Sequence, residues 1–161
     1  MVRVLGIDPG TSVTGYGVVD PSAEGIGRLV ECGVIRTSPR HDLWHRLETL
    51  YDGVSGVIER HEPTVLALES VFYAKNVRTT ITLGHARGVI LLAAVRAGLD
   101  IAEFSPATVK KTIVGTGRAA KAQVGFMVQR LLKLKAPPKP SDAADGVALA
   151  LTYLIAGGRR V

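Results

Sequence analysis

The chain has 161 residues, is 47% hydrophobic and carries a formal net charge of +6, which suits one globular domain, residues 1–161, with a buried core and a surface that can meet a polyanion. One cysteine excludes a disulfide framework and a thiolate metal site. No uncharged stretch approaches the ~20 apolar residues of a membrane span, and the N-terminal apolar run is broken at Asp8, too early for a secretory signal, so the expected location is cytoplasmic and no membrane is involved.

Three strand-like segments come first, Arg3 to Ile7, Thr14 to Val19 and Arg28 to Thr37, the last holding Cys32. Pro9-Gly10 reads as the centre of a type II turn, so the first two segments form an antiparallel hairpin. Leu43, Leu47, Leu50, Val54, Val57 and Ile58 recur at three- and four-residue steps and mark an amphipathic helix ending before Pro63. Trp44 beside them is assigned to the core. His41 and His45 have the spacing of a helical metal pair, but with no third ligand in sight and Asp42 and Arg46 alongside they read as an exposed helix start. A fourth strand, Val65 to Leu68, precedes a long helix from about Val77 to Ala97. Its "GVILLAAV" run is apolar on more than one face, so this helix is either deeply buried or partly a subunit contact, and His85 on it serves packing or a dimer seam.

Asp100 to Phe104 is the fifth strand, and Ser105-Pro106 opens a short helix that Gly115-Thr116-Gly117 breaks. A helix bearing Val124, Met127, Val128, Leu131 and Leu132 follows. After the basic, proline-rich "KLKAPPKP", Ser141 is expected to cap a final helix through about Ile155. Strands first, then alternating helices and strands, imply an α/β sheet with helices packed on it.

Asp8 and Glu69 each end an apolar strand. If those strands are neighbours, the two carboxylates emerge at one edge about 5 Å apart, and ligands of open α/β sheets sit at that edge. Asp142 and Asp145 share one face of the last helix's first turn, where the helix dipole favours negative charge. That preference suffices for Asp142. Asp145 starts a run with no other charge to Gly158, apolar around most of its circumference, and a buried carboxylate needs a partner or a cation. Four converging acids with no matching buried bases point to hard divalent ions, Mg²⁺ or Mn²⁺ over zinc. Two such ions about 4 Å apart can drive phosphodiester hydrolysis.

"LGIDPGTSVTGYGVV", "LALESVFYAKN", "LGHARGVI", "VKKTIVGTGRAAKAQV" and "SDAADGVALA" occur in that order. Together they resemble the RuvC family of Holliday junction resolvases over nearly the whole chain. The resemblance implies a ribonuclease H-like fold with a mixed five-stranded sheet. It also implies a Mg²⁺-dependent endonuclease acting as a homodimer on four-way junction DNA, beside the branch-migration proteins RuvA and RuvB. Matched residue by residue, the catalytic acids are Asp8, Glu69, Asp142 and Asp145, with Lys110 and Lys121 as basic residues near the cleft. His85 and Arg118 stand where relatives often have other polar residues.

The expected DNA contacts are a loop with Phe72, Tyr73, Lys75 and Asn76, and a basic set of Lys110, Lys111, Arg118 and Lys121. Phe72 either anchors its loop or stacks on an unpaired base, worth ~1–3 kcal/mol; the resemblance favours stacking. Of Lys110 and Lys111, one is expected to reach the scissile phosphate and the other to face solvent. "GTGRAAKA" nearly imitates a nucleotide-binding P-loop but lacks the glycine before Lys121 and the hydroxyl residue after it. It reads as a DNA-phosphate site at a helix N-terminus or as a solvated face. Three rivals are a sugar-kinase-type nucleotide domain, which needs a second lobe, a non-catalytic junction-binding module, and a relative acting on RNA.

Overall fold

The first strand, β1 (Val4–Asp8), is almost wholly apolar, and its alternating side chains enter two different cores: Val4 on one face, Leu5 and Ile7 on the other. This is the period of two expected of a strand buried on both sides. The structure, a computed structural model, describes residues 1–70 and 75–158. β2 (Val13–Ser22) and β3 (Gly25–Arg36) complete an antiparallel meander, and β4 (Val65–Glu69) and β5 (Asp100–Phe104) add in parallel on the other side of β1, giving the order β3-β2-β1-β4-β5.

Helices cover both faces. α1 (Leu43–His61) and α2 (Val77–Arg96) pack over Leu5, Ile7, Leu66 and Leu68. On the opposite face, α3 (Pro106–Val114), α4 (Lys121–Leu131) and α5 (Ser141–Ile155) enclose Val4, Val65, Ala67 and Phe104. No described helix is long and apolar enough to cross a membrane.

Three local expectations need correction. Trp44 is 67% exposed: it stands about 100° around α1 from Leu43, one residue off the stripe that buries Leu50, Val54, Val57 and Ile58. Gly10 is not among the described glycines with positive φ, so the β1–β2 connection is not the type II turn its Pro-Gly pair suggests. Glycine is needed there for space, because a Cβ would sit 2.0 Å from the Val13 carbonyl oxygen. Ser141 is the first residue of α5, whose N-cap is Pro140, and there is no side-chain capping bond.

Candidate active site

Strand alternation places the first two acids. Val4 and Val65, then Gly6 and Ala67, are register partners on the α5 face of the parallel β1–β4 pair. The next rank on that face is Asp8 beside Glu69, at the carboxyl ends of both strands.

Three glycines bring in the other two. Gly6 pairs with Gly17, and Gly15 pairs with Asp8 across the β1–β2 ladder. A Cβ on Gly6 would lie 2.0 Å from the Gly146 carbonyl oxygen, one on Gly15 1.7 Å from the Asp142 carbonyl oxygen, and one on Gly17 2.4 Å from Val147 Cγ2. The three form a trough in which α5 lies backbone against backbone, with its first turn above Asp8. Carboxylate oxygens of Asp8, Asp142 and Asp145 all come within 4.8 Å of one another. Glu69 is outside that trio but touches Asp8 closely enough to share a proton with it.

The electrostatics are unlike those elsewhere in the molecule. Buried Asp20 is bracketed by Arg3 (2.7 Å) and Arg28 (2.8 Å), and those guanidinium groups hold its carboxyl below the usual range. Glu31 is pulled down to about 2, chiefly by its hydrogen bond to Arg60. The cleft acids go the other way. Burial, reinforced by the proton-sharing contact with Glu69, pushes Asp8 up to about 8. Burial also raises Asp145 to about 6 against the pull of Lys121. Lys121 Nζ lies 3.3 Å from Asp142 Oδ1 and 3.0 Å from Asp145 Oδ2. Burial pulls that ammonium down, but bonds and charge from both aspartates raise it overall. Oxygen donors this close, with one cation among them, form the donor set hard divalent ions take.

Asp8, Glu69, Lys110, Lys121 and Asp145 line one cleft of about 220 Å³. Of the basic pair on α3, Lys110 faces the cleft, whereas Lys111 is exposed and does not line it. Gln123 accepts from the Ala120 N–H (2.7 Å) at the start of α4, so Lys121 opens that helix. Gly115, with φ of 102°, ends α3 as a left-handed cap, which accounts for the first glycine of the P-loop-like run without a ligand. Arg118 is exposed in the connection between them. Phe72 and Tyr73 lie outside the described residues. Lys75 is exposed, and Asn76 caps α2 by accepting from the Thr79 N–H at 2.8 Å. His41 and His45 are both exposed, His41 preceding α1. A residue given no role by sequence is Arg87, which donates to the Glu69 carbonyl and to Glu103. Its one sequence signal is its place inside "LGHARGVI", immediately before the apolar run of α2.

The family model for "Crossover junction endodeoxyribonuclease RuvC" matches residues 4–153. The chain belongs to the RuvC family. A RuvC protein from Halorhodospira halophila is 48% identical over 95% of this chain and 90% of its own length, and one from Pelotomaculum thermopropionicum is 45% identical over 93% and 91%. Among solved structures, Thermus thermophilus RuvC superposes with a TM-score of 0.88 at 35% identity, covering 97% of this chain and 95% of that one. The same protein in complex with Holliday junction substrate gives 0.87 at 33% identity over the same shares of the two chains. The fold is therefore ribonuclease H-like, as expected from the sequence. All four acids and both cleft lysines lie inside the matched RuvC region. RuvC proteins depend on divalent metal, and the carboxylate cluster supplies a place for it.

Proposed function

We propose that this chain is a structure-selective endonuclease that resolves four-way DNA junctions by paired symmetric nicks during recombination and repair. The observation that carries the reading is the convergence of Asp8, Asp142 and Asp145, with Glu69 beside them, at the sheet edge of a RuvC-family chain. Asp20 and Glu31 are each neutralised by arginine; here several acids crowd around the single ammonium of Lys121. Labelled four-way and linear duplexes, incubated with Mg²⁺ and with chelator, test it. Symmetric nicks only in the branched substrate and only with metal are expected; metal-independent or linear-duplex cutting would sink the reading.

The donor set fits Mg²⁺, with Mn²⁺ as substitute, and two ions per site is the occupancy we propose for Asp8, Glu69, Asp142 and Asp145. Bound there, divalent ions supply water activation and charge neutralisation at the leaving oxygen. The chain's own share is to hold four oxygen donors rigidly, two from strand ends and two from one helix turn. Lys110 faces the cleft from α3, where it can meet a phosphate oxygen. Lys121 holds an ammonium between Asp142 and Asp145 and can pass it to the developing charge of the phosphate. We assign Phe72, Tyr73, Lys75, Asn76, Lys111 and Arg118 to junction binding around this centre, with Phe72 stacking on a base at the crossover.

The same ammonium competes with metal in the free protein. Lys121→Ala is expected to bind Mn²⁺ more tightly without DNA, by up to about fivefold, the equivalent of ~1 kcal/mol for a half-exposed ion pair. It should also cut more slowly. Calorimetric titration of the two DNA-free proteins checks this; equal or weaker Mn²⁺ binding by the variant would contradict it.

We further propose a cytoplasmic homodimer working beside RuvA and RuvB. The two faces of α2 support self-association. Ala86, Ile90, Ala93 and Ala94 are buried against the sheet, while Ile81, Leu92 and Val95 are exposed. Gly84 and Gly88 have open space where side chains would project, which would let a second helix approach closely. A two-fold dimer places two cleavage sites on a junction of near two-fold symmetry.

A further inference from the structure

We propose that Arg87 is a positioning residue that sets the direction of the Glu69 carboxylate through the peptide between Glu69 and Ser70; this rests on the assignment of Glu69 as a metal ligand. That peptide is the last described link before residues 71–74. Its N–H, on Ser70, donates to the Phe104 carbonyl at 2.8 Å and extends the β4–β5 ladder by one bond. Its carbonyl, on Glu69, points the opposite way because the peptide is planar and trans, towards the side of β1. The residue that would answer it there follows Asp8 and is Pro9, which has no N–H. Arg87 takes the vacant role. One arm of its guanidinium donates to the Glu69 carbonyl, and the other reaches Glu103 Oε1 at 2.5 Å. The side chain is only 15% exposed although α2 is a surface helix. The peptide is clamped at both ends, which fixes the backbone torsion from which the Glu69 side chain departs. Glu103 accepts from the second arm and balances its charge, while the Glu69 carbonyl and the packing of α2 keep the first arm where it is.

Three variants separate positioning from simple docking of α2. Arg87→Ala is expected to raise the Mn²⁺ concentration needed for half-maximal cutting by about 10-fold or more, in the range for loss of a group that orients a metal ligand. The Mn²⁺ affinity of the DNA-free protein should fall alongside, with junction affinity in chelator unchanged. Glu103→Gln, which leaves the Glu69 contact intact, should keep the parental Mn²⁺ midpoint even if its melting temperature falls. Arg87→Lys, able to reach one acceptor but not both, should shift the midpoint in the same direction by less, and it carries the test if the alanine variant does not fold. A parental Mn²⁺ midpoint in both Arg87 variants, or an equal shift in Glu103→Gln, would overturn the proposal. Glu69→Gln is the control for the underlying assignment. If it binds Mn²⁺ and cuts like the parent, the ligand reading fails; if it is inactive while the Arg87 variants are normal, only the positioning role fails.

Discussion

Asp8→Asn is expected to abolish strand cutting and, at the same time, to make the metal-free protein more stable above neutral pH. The first half follows from position: Asp8 belongs to the 4.8 Å trio and touches Glu69, so it is the one acid in contact with both halves of the site. A metal's charge stabilisation is worth several kcal/mol; at about 1.4 kcal/mol per factor of ten, losing it slows cutting by about 10³-fold. Junction binding measured in chelator should be unchanged or stronger, because the substitution removes a negative charge from a surface that meets phosphate.

The second half follows from linkage. In the unfolded chain Asp8 loses its proton near the ordinary carboxylate value of 3.8, whereas in the folded, metal-free protein burial and Glu69 hold it to about 8. Between those values the native state binds the extra proton, so stability falls as pH rises across that window. Asparagine has no proton to lose, and the variant should gain about 1–2 kcal/mol over its parent at pH 8, in the range of other substitutions that relieve a strained site. Below pH 4 the difference should vanish. Thermal melts in chelator at pH 4, 6 and 8, paired with a cutting assay, check both halves. A variant that cuts normally, or a parent whose stability rises from pH 4 to 8 as this acid titrates, would remove Asp8 from the centre of the site.

Much of this geometry was legible in the sequence because it depends on short periods. The alternation of Val4, Gly6 and Asp8 against Leu5 and Ile7 is visible within five residues, as is that of Val65, Ala67 and Glu69 against Leu66 and Leu68. Asp145 stood out because a charge at the head of an apolar helix requires an explanation. What the sequence hid depends on contacts between distant segments. Trp44 is apolar and adjacent to the stripe of α1, and nothing local says that one step around the helix reaches solvent. Gly10 carried the signature of a turn, but its reason is the nearby Val13 carbonyl. Arg87 lies 18 residues from Glu69, and its role needs the missing N–H of Pro9, just past the end of β1. That Glu69 joins the trio only through Asp8 could not be seen from strand ends alone.

The glycine trough is the least legible feature and carries the other large expectation. Gly15→Ala should uncouple α5 from the sheet and take cutting with it. The added Cβ would lie 1.7 Å from the Asp142 carbonyl oxygen and 2.4 Å from its carbonyl carbon. Both are backbone atoms in the first turn of a helix, so no side-chain rotation can relieve the overlap; the N-terminal end of α5 must lift. Overpacking of this kind costs about 1–3 kcal/mol, which lowers the melting temperature without unfolding the chain at 25 °C. The chemical effect should be larger than the thermal one. The lift carries Asp142 and Asp145 away from Asp8, and a misplacement of about 1 Å is enough to slow a positioned reaction by about 10²-fold. Gly56→Ala is the matched control, since Gly56 lies within α1 and, apart from its own helix backbone, nothing comes within 4 Å of its added Cβ. It should gain about 0.5–1 kcal/mol from helix propensity and cut at the parental rate. Melting and cutting measured on both variants decide the matter. If Gly15→Ala melts a few degrees lower yet cuts as fast as the parent, the acids of α5 do not need their register against Asp8, and the trough serves packing alone.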